Sequence, residues 1–360
     1  MTDSLIQIPS GVQCFYGREA LLRRTVERRV AEVFAGWSYE EILLPLFDYY
    51  EVFDRGGGPS GRGSIYRFIG RQGELLALRP DFTALVAKVV QSRMQSRPLP
   101  LRLFYSGEVL RYQPPKPGRQ EELFQIGLEH IGTGVRGDLE VLLIALEAME
   151  RLGVRDAIVT IGHAGFVLGL LEAAGTPQAA QTELLGAMRA RDPDALRRSL
   201  GSEPPPELLE ALRLGGGIEV LRRARAVASE GASRSAVDDL EALGEELHAV
   251  GVAEHVQFDL GEVRGFDYYT GMVFEIHAPG SGLELGGGGR YDSLLGKFGS
   301  ARPAVGFSFS LDRLAQLITA SGAEWVSESP AEALAAPGQP AELFGRARAL
   351  RRQGRKVRVE

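Results

Sequence analysis

Apolar residues recur at helical spacing in REALLRRTVERRVAEVFAGW, where Leu22, Val26, Val30, Val33 and Trp37 share one side and arginines crowd the other. This predicts an amphipathic helix with a solvated, arginine-rich outer face. YEEILLPLFDYYEVF follows as a strand, a proline break and a short helix. The glycine-rich DRGGGPSGRG, residues 54–63, predicts a flexible loop. IYRFIG and ELLALRP form two strand-like runs with Arg71-Gln72-Gly73 as the turn, which predicts a hairpin. DFTALVAKVVQSRMQ is helical in period, with Asp81 or Thr83 near its N-cap.

The pattern then shortens to that of strands. LRLFYSGEVLRYQ reads as a strand, PPKPGRQEE as a loop because three prolines and a glycine forbid regular structure, and LFQIGLEHIG as the returning strand. GDLEVLLIALEAMERLG is a long helix with Asp138 near its start, and DAIVTIGH a short apolar strand. From about residue 166 to 234 the pattern is helical, punctuated by Pro and Gly, with no strand signal, so a helical insertion in a β-rich domain is expected. DDLEALGEELHAVG adds one more helix. HVQFDLGEV, RGFDYYTGMVFEIHAP and LELGGGGRYDSLL return to strand character, with Tyr268 and Tyr269 alternating along one strand. AVGFSFSLDRLAQLI is a strand running into a helix. After the linker SESPAEALAAPGQP, AELFGRARALRRQG predicts a basic helix capped by Gly354, and KVRVE a strand. This last αβ unit is too small to bury a core alone. The expected division is a core over 1–325 and a linker with an αβ remnant over 326–360.

Composition narrows the class. At 360 residues and 44% apolar content the chain has material for a sizeable core and for two or three domains. No apolar run approaches the ~20 residues of a membrane span. The N-terminus lacks a charged n-region followed by an apolar h-region. A cytoplasmic location follows as the expectation. The single cysteine, Cys14, excludes an internal disulfide and reads as a small near-core hydrophobe. The five histidines never fall at metal-ligand spacing, so neither a metal nor a cofactor is expected. A net charge of −6 lacks the basic footprint of a dedicated nucleic-acid binder.

Three stretches carry candidate chemistry. RGFDYY places Arg264, Asp267 and two phenols within six residues, and taken alone Arg264–Asp267 reads equally as a structural ion pair. LELGGGGRYD follows it. Four glycines are more than a turn needs, and without Cβ atoms the backbone can approach a ligand closely. Neither GxxxxGK[ST] nor GxGxxG in a strand–helix context is present, so this is no phosphate loop. GEVLRYQPPKPGRQEELFQIGLEHIG puts Arg111 on one strand, Arg119 on the loop, and Gln125 and Glu129 on one face of the returning strand. Opposite charges on one sheet face suit a zwitterion, although a solvated charged strand pair has the same pattern. LRPDFT adds Asp81 and Thr83, which also fit helix capping.

In this order, LRPDFT, GEVLRYQ…GRQEELFQIGLE, RGFDYYTG, GGGGRYDSLL and AVGFSFSLDRL resemble the catalytic core of histidyl-tRNA synthetases over residues 8–320. The resemblance implies an α+β fold, the class II aminoacyl-tRNA synthetase-like antiparallel sheet flanked by helices, with a helical insertion and a short C-terminal αβ stub. It implies a histidine pocket formed by Asp81, Thr83, Arg111, Gln125, Glu129, Arg264, Tyr268, Tyr269 and Tyr291. Arg111, Arg119 and Arg313 would remain as a residual phosphate or ATP site. The sequence departs from the synthetase pattern where the chemistry lies. LRPEGT is LRPDFT here, and Phe82 is expected to crowd the pocket. Gln113, Pro114, Glu121 and Phe124 replace a glutamate, an arginine, a basic residue and a histidine; Ser310 and Asp312 replace glycine and glutamate. The anticodon-binding domain is reduced to the stub, which makes tRNA an unlikely ligand. The chain is similar to the family of synthetase-like regulatory subunits of ATP phosphoribosyltransferase. That likeness implies no catalysis, a self-associated dimer, a short-form catalytic subunit as partner in a hetero-octamer, and L-histidine as inhibitory ligand. The competing expectation is a truncated synthetase that still forms histidyl-adenylate.

Overall fold

The computed structural model describes residues 6–112, 120–262, 268–322, 325, 332–334 and 340–359. A nine-stranded sheet forms its centre. From one edge it runs β1 (Glu40–Glu41), β5 (Leu101–Leu110), β6 (Glu122–Ile131), β12 (Ala304–Ser310), β11 (Gly286–Arg290), β10 (Met272–His277), β7 (Ile158–His163), β9 (Val256–Asp259) and β8 (Gly215–Gly216). All neighbours are antiparallel except β1–β5 and β7–β9. A second sheet orders β2 (Phe47–Tyr49), β4 (Leu75–Leu78) and β3 (Arg67–Ile69). The expected hairpin is β3–β4, and Gly73 supplies its turn at φ +89°.

The two faces of the large sheet bury different cores. One is packed by α1 (Gly17–Gly36), α4 (Arg136–Arg151), α11 (Leu311–Ala320) and the insertion, with Phe34, Ile126, Leu128, Leu142 and Phe307 among its buried residues. The other is packed by α3 (Thr83–Arg93) and contains Phe82, Leu103, Tyr105, Val109 and Tyr291. The small sheet and α2 (Tyr50–Gly61) enclose a third cluster around Phe53 and Leu85. Strand alternation sends successive residues of β6 to different cores, and this aims Gln125 and Glu129 away from Ile126 and Leu128.

The insertion comprises α5 (Ala164–Ala173), α6 (Gln178–Arg189), α7 (Pro193–Leu200), α8 (Pro206–Ala211) and α9 (Val220–Val227), and α10 (Ala232–Val250) follows it. The expectation of no strand there is corrected by β8, two glycines that extend the sheet beside β9. The loop expected at 54–63 is also corrected: α2 runs through to Gly61 and a 3-10 turn follows. Val52 and Phe53, buried in the third cluster, anchor that helix, so packing outweighs the poor helix propensity of its glycines. In the C-terminal unit α12 (Pro340–Arg352) precedes β14 (Val357–Val359), and Gly354 takes a positive φ as expected. The stretch read as linker contributes β13 (Glu332–Leu334), which pairs parallel with β14. A carrier of paired backbone needs no strong strand signal of its own.

Two surface expectations also change. Arg23 of α1 is not solvated: it is buried against Asp312 of α11, with its guanidinium 3.4 Å from the centre of the Phe15 ring. Cys14 is exposed rather than near the core.

Candidate functional site

One cavity of about 350 Å³ opens between the second core and the middle of the sheet. Asp81, Thr83, Arg111, Gln125, Glu129, Tyr268, Tyr269, Tyr291 and Arg313 all line it, so the structure brings together residues separated by more than two hundred positions in sequence. Arg119, Arg264, Asp267 and Gln113 lie outside the described residues.

Glu129 is the centre of the site. Its carboxylate is buried and accepts from Thr83 Oγ1 at 2.9 Å and Tyr105 OH at 3.3 Å on one oxygen, and from Tyr291 OH on the other. Each donor arrives from a different place: Thr83 from the first turn of α3, Tyr105 from β5, and Tyr291 from the residue that follows β11. Burial pushes the Glu129 carboxyl up to about 7, with Asp81 adding to the rise, while the three hydroxyls oppose it. Burial also raises the Asp81 carboxyl, and the nearby Arg111 charge works against that rise. Arg111 is itself aimed by its Nε–H, which donates to the Pro80 carbonyl at 2.7 Å.

Tyr268 and Tyr269 do not alternate along a strand. They precede β10, and both rings face the cavity, tilted against one another with centroids 4.3 Å apart. The Tyr268 ring lies edge-on to Tyr291 at 6.1 Å. Burial holds the phenols protonated, with Tyr269 pushed up to about 12. The site is therefore a cage of hydroxyl donors and aromatic faces around an acid. Such a cage suits a ring that carries N–H groups and has a π-face.

Tyr105 went unnoticed in the sequence. Its place follows from register: it lies opposite Gly127 across β5–β6, and a Cβ at Gly127 would sit 2.8 Å from the Tyr105 hydroxyl. The missing side chain makes the room. The glycine run of β11 works in the same way. Gly286, Gly287 and Gly288 line the cavity from mid-sheet, and a Cβ at Gly287 would sit 2.7 Å from the Phe274 carbonyl. The run is a central strand and not a hairpin turn.

Phe82 does not crowd the cavity. It is fully buried beneath it, stacked on Tyr105 with centroids 4.2 Å apart and capped by the Arg79 guanidinium. It supports the cage from behind, where glycine would leave Tyr105 unbacked. Glu121 does not face the cavity either, because Tyr66 holds its carboxylate and Gly11 packs against its side chain. Phe124 points to the opposite core, where Arg24 lies over its ring at 6.0 Å. Asp312 ties α11 to Arg23 and to the Phe124 backbone N–H at 2.9 Å, and Ser310 caps α11. Phe82, Glu121, Phe124 and Asp312 are thus structural substitutions, singled out by their departure from the synthetase pattern, whereas Ser310 also lines the cavity.

The other end of the cavity differs. Arg313 donates to the Glu284 carbonyl at 2.6 Å and pairs with the Glu284 carboxylate at 2.8 Å. Glu262, Glu275 and Ser308 complete that end. That end therefore places three carboxylates beside an arginine that is already paired.

A family model described as histidyl-tRNA synthetase matches residues 11–314. The ATP phosphoribosyltransferase regulatory subunit of Moorella thermoacetica is 37% identical, over 98% of this chain and 91% of that protein. That of Symbiobacterium thermophilum is 38% identical, over 98% and 90%. A solved structure from Bacillus halodurans C, titled as an ATP phosphoribosyltransferase regulatory subunit/histidyl-tRNA synthetase, superposes with a TM-score of 0.87 at 30% identity, covering 99% of this chain and 93% of that one. The histidyl-tRNA synthetase of Nostoc sp. PCC 7120 shares the fold, with a TM-score of 0.80 at 21% identity over 99% of this chain and 86% of that one.

Proposed function

The chain belongs to the histidyl-tRNA synthetase-like family, among the ATP phosphoribosyltransferase regulatory subunits, and from that premise we propose that it senses L-histidine in the tyrosine-lined cavity and passes the signal to a catalytic chain. The observation that carries the reading is the contrast within one cavity. The Glu129 cage retains a full set of donors and aromatic faces, whereas the end next to Arg313 is acidic and internally paired. A small zwitterion fits the first end. A triphosphate meets like charge at the second, and this supports loss of adenylate-forming activity.

The roles follow from the groups. Glu129 receives the imidazole N–H or the ammonium, Thr83 and Gln125 the amino group, and Arg111 and Arg264 the carboxylate. Tyr268, Tyr269 and Tyr291 enclose the ring. Coupling is reciprocal: a catalytic chain that prefers one state of this subunit shifts histidine affinity by the same factor that histidine shifts the catalytic chain. The partner is a short-form catalytic subunit that this chain activates in the first step of histidine biosynthesis, in a hetero-octamer built on dimers of this chain. Self-association is supported by the exposed Leu43, Leu46, Phe47, Tyr49, Phe68 and Ile69, an apolar set on and beside the small sheet. A cytoplasmic place accords with the finding that, among the described residues, no helix is long and apolar enough to cross a membrane.

Calorimetric titration of L-histidine, followed by ATP–pyrophosphate exchange on the same sample, tests the reading. Binding without exchange is expected. Exchange at synthetase-like rates would replace it with a truncated synthetase. Arg264→Ala is expected to weaken histidine inhibition of the assembled complex while leaving the fold intact.

A further inference from the structure

Behind the Glu129 cage lies a buried cation that the function proposed above does not use. Arg79 follows β4, and its side chain is only 6% exposed. It has no close acid: its nearest described carboxylate, on the half-exposed Glu108, stands 3.9 Å from Nη2. Its donors go to the backbone instead. Nε–H reaches the Glu108 carbonyl at 2.6 Å, and Nη1–H the carbonyls of Leu44 and Pro45 at 2.8 and 3.3 Å. A buried cation held mainly by carbonyls is costly, so its placement needs a reason.

The placement is a slot shaped for a guanidinium. Tyr105 and Gly107 share one face of β5. A Cβ at Gly107 would sit 2.5 Å from Arg79 Nη2 and 3.3 Å from Phe82 Cζ, so the missing side chain lets the guanidinium lie beside the strand. There it covers the Phe82 ring, 4.1 Å from its centre. Tyr105 is stacked on the same ring, with 4.2 Å between centroids and 11° between planes. Two groups at such distances cannot share one face, so Phe82 is held between them. The result is a stack of guanidinium, phenyl and phenol, and the phenol donates to Glu129.

This stack ends on a slack bond of the cage. Tyr105 OH stands 3.3 Å from the Glu129 carboxylate, whereas Thr83 Oγ1 stands at 2.9 Å. An O–H donor at the longer distance is past the ordinary range, and a small slide of the ring would lose it. Its strength therefore depends on what holds the ring. Neither Arg79 nor Phe82 lines the cavity, and their route to a ligand runs through Tyr105.

We propose that Arg79 is a positioning residue for the ligand of this cavity: through Phe82 it holds the Tyr105 ring in place and so sets one of the three hydroxyl bonds to Glu129. The inference rests on the histidine reading only for the identity of that ligand.

A double-mutant cycle on the full chain tests it. Arg79→Lys keeps the charge but loses the planar fork and the stack. Phe82→Leu removes the phenyl layer and leaves the carbonyl bonds of Arg79 in place. Each is made alone and together with Tyr105→Phe. Calorimetry reads L-histidine affinity. Carbon NMR of the ligand-free protein reads the titration midpoint of the Glu129 carboxyl, assigned with Glu129→Gln. The Tyr105 bond favours the carboxylate, so its loss moves that midpoint upward. The other groups around Glu129 (Thr83, Asp81, Arg111, Tyr268, Tyr269 and Tyr291) are the same in every variant. With Tyr105 present, either variant should raise the midpoint and weaken histidine binding about 5-fold; in the Tyr105→Phe background the midpoint should stay put and affinity should change less than about 1.5-fold. Equal effects in both backgrounds would mean that Arg79 only supports the fold, and they overturn the proposal. An unmoved midpoint with Tyr105 present overturns it too. If the unaltered chain takes up no histidine, the histidine reading fails by itself, and the midpoint alone decides the role of Arg79. Should Arg79→Lys not fold, Arg79→Gln takes its place in the cycle.

Discussion

The two ends of the cavity share strands β6, β11 and β12, yet they have opposite characters. At the Glu129 end, three hydroxyls, each aimed by a separate element, converge on one buried acid. At the Arg313 end, the cation of α11 is paired by Glu284, just before β11, and further carboxylates line the wall. The first is an organised site that awaits a ligand. The second has satisfied itself. On the proposed reading, the difference teaches that a chemical function can be lost while the fold that carried it is kept. A few acids beside the cavity suffice for this, because an arginine already paired at close range attracts phosphate less.

The comparison can be broken most directly at its centre. Glu129→Gln should abolish measurable histidine binding, a loss of at least about 100-fold, because an amide cannot accept from three hydroxyls and leaves at least one unpaired. Calorimetry reads this, and near-normal affinity would remove Glu129 from the site. The same variant sharpens the picture through pH. Because the folded-state pKa of Glu129 is raised to about 7, the folded protein holds a proton that the unfolded chain releases near 4.5. Stability should therefore fall as pH rises from about 4.5 to 7, by on the order of 1–3 kcal/mol, and Glu129→Gln should flatten that slope in urea unfolding. A slope unchanged by the variant would mean that another group titrates.

Smaller effects probe the other end. Glu284→Ala frees Arg313 and should raise ATP affinity by about 5-fold without altering histidine affinity, as equilibrium dialysis would show. A parallel change in histidine affinity would mean that the two ends are one site. Phe82→Gly, restoring the synthetase residue, should weaken histidine binding only a few-fold through the unbacked Tyr105 ring, but should cost about 3 kcal/mol or more of stability as a core deletion. Tighter histidine binding in that variant would instead support a crowded pocket.

Much was legible in the chain because local periodicity does not depend on partners. The helices of the core, the hairpin around Gly73, the strand pair β5–β6, and the shared face of Gln125 and Glu129 all follow from spacing alone, although Arg111 lies one residue past the end of β5 and not on it. Errors arose where packing outvoted propensity, as in α2, β8 and β13, or where a side chain had two directions available. Phe82, Phe124, Glu121 and Arg23 are of this second kind. Their residue types were plain, but which core or partner each would reach was not written in their spacing. By itself the sequence determined the element order, the site residues that strand alternation exposes, and the resemblance that groups them. Only the tertiary structure decided that Tyr105 joins the cage, that Arg313 is already paired, and that the gap at Gly107 admits Arg79 behind Phe82. Each of these depends on the register between strands or on contacts across distant elements, which are set when the sheet closes and not by any short stretch of chain.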